Sequence, residues 1–272
     1  MQPSDLGNFV QLIVALDPWL DHVVIIGGWA HRLYRLHPRA QELDYAPLMT
    51  LDTDVALPAT LPAEGQSLRE RLLASGFQEE FLGDHRPPVT HYRLGQEAAG
   101  FYAEFLTPLV GGPISRRGER KVTALIAGVA TQRLRHLDML LTGPWSIDLA
   151  LTLVTAGEPR RIRIPNPASF LAQKALVHAR RTRGGRAKDV LYMHDTLEVF
   201  GARLAELRDE WTNTTAPGLH ARTTGSVRKA ARQLFGATSD TIREAALLAV
   251  GRNLSPEALR ETCGRGFNEI FG

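Results

Sequence analysis

Val23-Val24-Ile25-Ile26-Gly27-Gly28-Trp29-Ala30 opens the stretch that decides the fold, and Thr50-Leu51-Asp52-Thr53-Asp54-Val55 closes it. The run Val23–Ile26 is apolar and β-branched, which predicts a strand, and the glycine pair marks a turn into a helix from Trp29 to Leu36. Alternation over Leu48–Leu57 predicts a second strand, ended by Pro58. In an extended backbone residues two apart share a face, so Asp52 and Asp54 project together. Two carboxylates so placed repel each other unless a cation lies between them, and hard oxygen donors suit Mg²⁺, or Mn²⁺ in its place. A solvated edge strand could carry the same pair without a metal.

Further along the chain, Ser67–Ser75 has helical composition with Gly76 as its stop, and Phe77–Phe81, Thr90–Leu94 and Phe101–Leu106 are strand candidates. The last of these holds Glu104 beside Phe101, Phe105 and Leu106, where a carboxylate needs a partner or a metal. Strand, Gly-Gly, helix, strand, helix and a strand meander predict an α/β or α+β domain with a mixed sheet, about residues 1–160, of which α+β is the expected class. Beyond it the β-signal fades. Asn166-Pro167 reads as a helix start leading into Phe170–Arg181, Arg183-Gly184-Gly185 as a loop, and Lys188–Phe200 as a second helix. Thr212–Gly225 reads as a linker. Ser226–Phe235, Ser239–Val250 and Ser255–Cys263 complete a mainly helical, basic region, residues 161–272.

Composition excludes several classes. The chain has 272 residues, 44% hydrophobic and 22% charged, with a single cysteine, Cys263, so disorder, collagen-like repeats and an intrachain disulfide scaffold are ruled out. No apolar run reaches the ~18 residues of a membrane span and the N-terminus does not read as a signal peptide, so a cytoplasmic location without membrane partners is expected. The net charge of +3 divides unevenly: residues 1–160 hold 14 Lys and Arg against 18 Asp and Glu, residues 161–272 hold 18 against 11. Carboxylates in one half and cations in the other suit a metal site and a polyanion, although uneven solvated faces would give the same count. Only four of the basic residues are lysines, Lys121, Lys174, Lys188 and Lys229. His22, His91, His136, His178 and His194 show no metal-ligand spacing and are expected on the surface or at caps.

The Gly27-Gly28 turn, the Asp52-x-Asp54 strand and Glu104 on a later strand resemble the nucleotidyltransferase superfamily. Arg186-Ala187-Lys188-Asp189-Val190-Leu191-Tyr192-Met193 is similar to the Arg-x-Lys-Asp-x-x-Asp motif of AbiEii/MenT-type nucleotidyltransferases, toxins of toxin–antitoxin systems, and Gly27-Gly28-Trp29-Ala30 and Lys174 also fit. The resemblance covers roughly residues 20–200. Two departures stand out. The 23 residues between Gly28 and Asp52 are more than is usual in the family, and Tyr192 stands where the motif has its second Asp.

The resemblance implies a DNA polymerase beta-like fold and transfer of a nucleoside monophosphate from an NTP to a hydroxyl, with release of pyrophosphate. Asp52, Asp54 and Glu104 would hold Mg²⁺, two ions in the in-line displacement, and Glu104 would help deprotonate the acceptor. Gly27 and Gly28 would meet the phosphates through the backbone. Lys174 and Lys188, helped by Arg186, would neutralise the triphosphate, and Asp189 would orient a lysine or the base. The expected acceptor is a tRNA 3′ end, with an antitoxin as partner. An antibiotic hydroxyl or a protein side chain is the alternative acceptor, and a non-catalytic nucleotide-binding or interaction module the alternative class.

Helical spacing adds detail. Lys174, His178 and Arg181 fall on one helix face, with Lys174 a partner for Asp189. On the next helix Val190, Met193, Leu197 and Phe200 form an apolar stripe, with Lys188, Tyr192 and Asp195 opposite. Arg228, Lys229 and Arg232 could meet a nucleic-acid backbone or be plain exposed surface.

Overall fold

The expected strands form around one sheet. In the computed structural model, which describes residues 3–95, 100–112, 114, 118, 121–149 and 159–272, β1 (Val24–Ile26) and β2 (Asp52–Ala56) are antiparallel neighbours. Between them lies α2 (Gly27–Leu33), continued by a 3-10 turn over Tyr34–Leu36. Next come β3 (Gln78–Leu82), β4 (Val89–Arg93) and β5 (Tyr102–Pro108). The sheet runs β1-β2-β5-β4-β3, with β2 and β5 parallel and the other pairs antiparallel. Beyond Leu106, β5 pairs in parallel with β7 (Val129–Leu134), which pairs with β6 (Thr123–Ile126). A separate hairpin joins β8 (Trp145–Leu149) to β9 (Arg160–Ile164), and α4 (Asp138–Leu141) precedes it. The chain is therefore α+β with a mixed sheet, as expected, though β6 to β9 were not read individually.

Alternation places Thr53, Val55, Tyr92, Ala103 and Phe105 on a buried face. Against the same core packs α1 (Pro3–Leu16), a helix the strand-centred reading omitted, although its buried Phe9, Leu12, Ile13 and Leu16 follow the i, i+3, i+4, i+7 rule. Each such side chain contributes roughly 1.5–3 kcal/mol of burial. Phe9 stacks on Trp29 with centroids 3.9 Å apart, and Trp29 meets the edge of Phe101 at 6.3 Å. The helix expected over Ser67–Ser75 is α3 (Leu68–Ala74), begun by a capping box in which Ser67 and Glu70 satisfy each other's backbone N–H.

These elements make one compact unit, Met1–Ala30 with Met49–Ile164; the other is His31–Leu48 with Pro165–Gly272. The division passes through α2, so the long spacer between the glycine pair and Asp52 supplies part of the second unit. Tyr34 anchors it there: the ring is fully buried edge-on to Phe170 and Phe200, and its hydroxyl donates to the Pro165 carbonyl at 3.0 Å.

The second unit is helical: α5 (Pro167–Val177), α6 (Arg183–Val199), α7 (Leu204–Glu210), α8 (Ala221–Phe235), α9 (Asp240–Leu248) and α10 (Pro256–Phe271). Asn166 caps α5 by accepting from the Ser169 N–H, with Pro167 in the first turn. Two expectations are corrected. Arg183-Gly184-Gly185 is not a loop but the first turn of α6, because Thr182 accepts from the Gly185 N–H and starts the helix there. The supposed linker over Thr212–Gly225 is helical in most of its length: a π-helical turn over Trp211–Thr215, a 3-10 turn over Ala216–Gly218 and the first turns of α8. Threonine-rich composition misled there because buried Trp211 and Thr215 pin the segment to the helical core.

Candidate active site

The carboxylates read from the sequence meet on one face of the sheet. Asp52 and Asp54 lie two apart on β2, and the parallel register sets Asp52 beside Tyr102 and Asp54 beside Glu104. With strand spacing of about 4.8 Å, Asp54 and Glu104 are direct neighbours. Their face is half-exposed, while Thr53, Val55, Ala103 and Phe105 point the other way into the core. Phe101 and Phe105, three residues before and one after Glu104, therefore do not surround its carboxylate. Nor is β2 an edge strand, since β1 and β5 flank it.

Gly27 comes onto the same site. It begins α2 at φ +66°, where an L side chain is strained, and a Cβ there would overlap the Asp54 carboxylate oxygen and lie 3.1 Å from its Cγ. The glycine turn is thus shaped around Asp54, with Gly28 following as the second residue of α2.

One residue of this face was missed. His91 on β4 is in register with Glu104, and its Nε2 lies 2.7 Å from Glu104 Oε1. The imidazole also stacks on Tyr102, centroids 4.5 Å apart, and its Nδ1 lies 3.5 Å from Glu80 Oε2. His91 is therefore no surface or capping residue. Gln132 of β7 donates to Glu104 Oε2 at 3.4 Å, and the Thr50 hydroxyl donates to Asp52 Oδ1. Burial, then the charges of Asp52, Glu104 and Asp54, push the Tyr102 phenol up to about 12. A patch that disfavours one more negative charge and gathers three carboxylates, one of them held by His91, fits a hard divalent cation.

The second unit holds the other expected residues. Lys174 on α5 and Asp189 on α6 are both buried, and Lys174 Nζ donates to Asp189 Oδ1 at 2.7 Å. Arg181 Nε reaches the other oxygen at 3.2 Å. The ammonium also lies over Phe170 and Tyr192, 5.5 and 5.1 Å from the ring centroids. Lys174 is thus enclosed by a carboxylate and two rings, whereas Lys188 is exposed and Arg186 half-buried.

The expected polar face of α6 is corrected as well. Every residue from Asp189 to Leu197 is buried, Tyr192 and Asp195 among them. Asp195, one turn beyond Tyr192, accepts from both Arg252 nitrogens, at 2.6 and 2.8 Å. His194 Nδ1 lies 3.0 Å from Asp195 Oδ1, and Tyr45, whose ring covers the Arg252 guanidinium at 3.5 Å, donates to Glu198 at 2.5 Å. Burial opposes ionisation of Asp195, yet the His194 and Arg252 hydrogen bonds hold its carboxyl down at about 2. His194, Asp195 and Glu198 each place a ligand atom within 4.8 Å of the others, so the group has the spacing of a metal site. Arg252 already supplies the cation there, which makes an ion-pair network the better reading of its charge. His194 and His178, like His91, are buried or half-buried rather than surface residues.

The mixed sheet thus carries an Asp-x-Asp strand, a third carboxylate in register and a glycine turn pressed against it. A family model described as a nucleotidyltransferase matches residues 4–216, and the chain belongs to that family. It is thus a transferase that moves a nucleoside monophosphate from an NTP. Among curated proteins none matches the chain. Among the described residues no helix is long and apolar enough to cross a membrane.

Proposed function

We propose that this nucleotidyltransferase transfers a nucleoside monophosphate from an NTP to a tRNA 3′ end, as the toxin of a toxin–antitoxin pair. The observation that carries the site is the register of Asp54 with Glu104 on the face that also presents Asp52, with Gly27 closed against Asp54. Asp52, Asp54 and Glu104 would hold Mg²⁺, which when bound supplies charge neutralisation for the attacking and leaving oxygens. Glu104 accepts the proton of the acceptor hydroxyl, and His91 Nε2, at 2.7 Å, positions that carboxylate. The backbone at Gly27 and Gly28 faces the phosphates, by resemblance. Arg186 and Lys188 neutralise the triphosphate, and the buried pair Lys174–Asp189 positions the start of α6 that carries them.

The acceptor rests on the Arg186-x-Lys188-Asp189 resemblance to AbiEii/MenT-type enzymes and on the basic second half of the chain. Incubation with each radiolabelled NTP, Mg²⁺ and total tRNA tests it. Wild type is expected to label RNA and Asp54→Ala is not. Equal labelling by Asp54→Ala would overturn the site, and labelling of protein or an aminoglycoside in place of RNA would overturn the acceptor. Growth arrest on expression, relieved by the same substitution, tests the toxin role.

A further inference from the structure

Antiparallel α8 and α10 enclose a groove of about 660 Å³ in the second unit, and it takes no part in the site above. Phe235 of α8 packs on Phe267 of α10 with centroids 5.3 Å apart, and Arg228 Nε donates to the Phe271 carbonyl, so the helices run in opposite senses. Four arginines line the groove, Arg228 and Arg232 from α8 and Arg260 and Arg265 from α10, with Glu261 the single carboxylate side chain. An adjoining depression shares Arg228 and Arg232 and adds Lys229.

Pairing sets these cations apart from several others of the unit. Arg183, Arg203, Arg208 and Arg243 each hold a carboxylate partner in this unit. Among the described residues no carboxylate lies within ion-pair distance of exposed Arg232, Arg265 or Lys229, and Arg260 shares Glu261 at only 3.3 Å. Unpaired guanidinium groups facing one another across a groove repel, and an anion between them removes that repulsion. Between the arginines the lining is Ala231, Gly236 and Gly264 together with Phe235, Phe267 and Phe271. From Arg260 to Phe271 the groove follows α10 for about 16 Å at 1.5 Å per residue, longer than a single phosphate needs.

We infer that this groove binds the phosphodiester backbone of an RNA strand. The reading deepens the RNA-acceptor proposal and rests on it, placing part of the acceptor's grip on α8 and α10. Arginine suits the role because its planar fork matches phosphate oxygens, and contacts to the backbone carry no sequence information. Phe235, Phe267 and Phe271 line the groove along with the arginines, and its concave shape favours a strand over a lipid surface, which needs an outward apolar face.

The test measures binding of fluorescein-labelled tRNA and oligo(U) to the full chain, without NTP or Mg²⁺, across a salt series. Arg232→Ala/Arg265→Ala is expected to weaken binding about tenfold and to lower the salt slope by about 1.4, two phosphate contacts at about 0.7 each. Arg232→Lys/Arg265→Lys is expected to keep the slope, and Arg203→Ala/Arg243→Ala, which removes paired arginines outside the groove, to keep both slope and affinity. Unchanged affinity and slope in the first pair would overturn the inference. So would arginine-dependent binding of ATP alone with the affinity of RNA, or binding of anionic phosphatidylserine vesicles in place of RNA. Arginine-dependent RNA binding by a wild type that labels no RNA sinks the acceptor reading and leaves the groove standing. RNA labelling and binding both indifferent to the first pair do the reverse.

Discussion

Gly27 and Asp54 occupy each other's space: the backbone of Gly27, at φ +66°, lies where any Cβ would overlap the Asp54 carboxylate. Gly27→Ala must therefore move Asp54 as well as strain the backbone, by about 1–2 kcal/mol for the left-handed conformation alone. Because a shift of about 1 Å at a reacting group can lower rate about 10²-fold, nucleotidyl transfer should fall by that order while the protein stays folded. Steady-state transfer assays with a thermal melt of the same sample check this; a folded Gly27→Ala with wild-type kcat removes Asp54 from the chemistry.

The enclosure of Lys174 predicts a division of labour between two lysines. Lys174→Met leaves Asp189 buried with Arg181 as its remaining partner, and should lower stability by about 3 kcal/mol. Exposed Lys188→Ala should change stability by less than about 0.5 kcal/mol and raise KM for the NTP severalfold. Urea unfolding and NTP titrations separate the two. A Lys174→Met protein with unchanged stability and a raised KM would mean that Lys174 leaves Asp189 for the phosphates.

Arg252 neutralises Asp195 from beneath the Tyr45 ring, with the Asp195 side chain wholly buried. Arg252→Met strands that carboxylate and is expected to lower stability by about 3–5 kcal/mol, whereas Arg252→Met with Asp195→Leu should recover most of the loss. Chemical denaturation of the three proteins gives the answer. Failure of the second substitution to rescue the first would show that packing, not charge, dominates the site.

His31 makes stability depend on pH. It is fully buried against Tyr192, and burial lowers its pKa to about 4, with Asp195 opposing and Arg35, Lys174 and Arg252 adding to the shift. The unfolded chain, with an ordinary value near 6.5, binds a proton that the folded chain refuses between these limits. Stability is then full above about pH 6.5 and falls as pH drops toward 4, by about 3 kcal/mol in all. Melting curves from pH 7 to 4 should show a shallower decline for His31→Gln than for wild type; parallel declines would assign the acid sensitivity to other groups. Asp195, held at about 2, loses its stabilising ionisation only below the His31 window.

How much of this was legible follows from the range of the forces involved. The Asp-x-Asp strand, the glycine turn, the capping box at Ser67 and the cap at Asn166 depend on residues within four positions of one another. Even α1 carries its spacing in Phe9, Leu12, Ile13 and Leu16. His91 was invisible because its place beside Glu104 depends on the register of β4 against β5, set by hydrogen bonds between segments a dozen residues apart. The buried polar residues of α6 escaped for a related reason. Hydrophobic periodicity assigns Tyr192 and Asp195 to solvent, and only the arrival of Arg252 from 57 residues away makes Asp195 tolerable in the core.

By itself the sequence determined the elements around Gly27-Gly28 and Asp52-x-Asp54 and that the two aspartates share a face, because alternation and capping are short-range consequences of backbone geometry. Tertiary structure alone decided three things: that Glu104 stands beside Asp54, that Gly27 is shaped to that carboxylate, and that the spacer before Asp52 folds with the helices. Each is a pairing across the chain, selected by register and burial, for which neighbouring residues carry no signal.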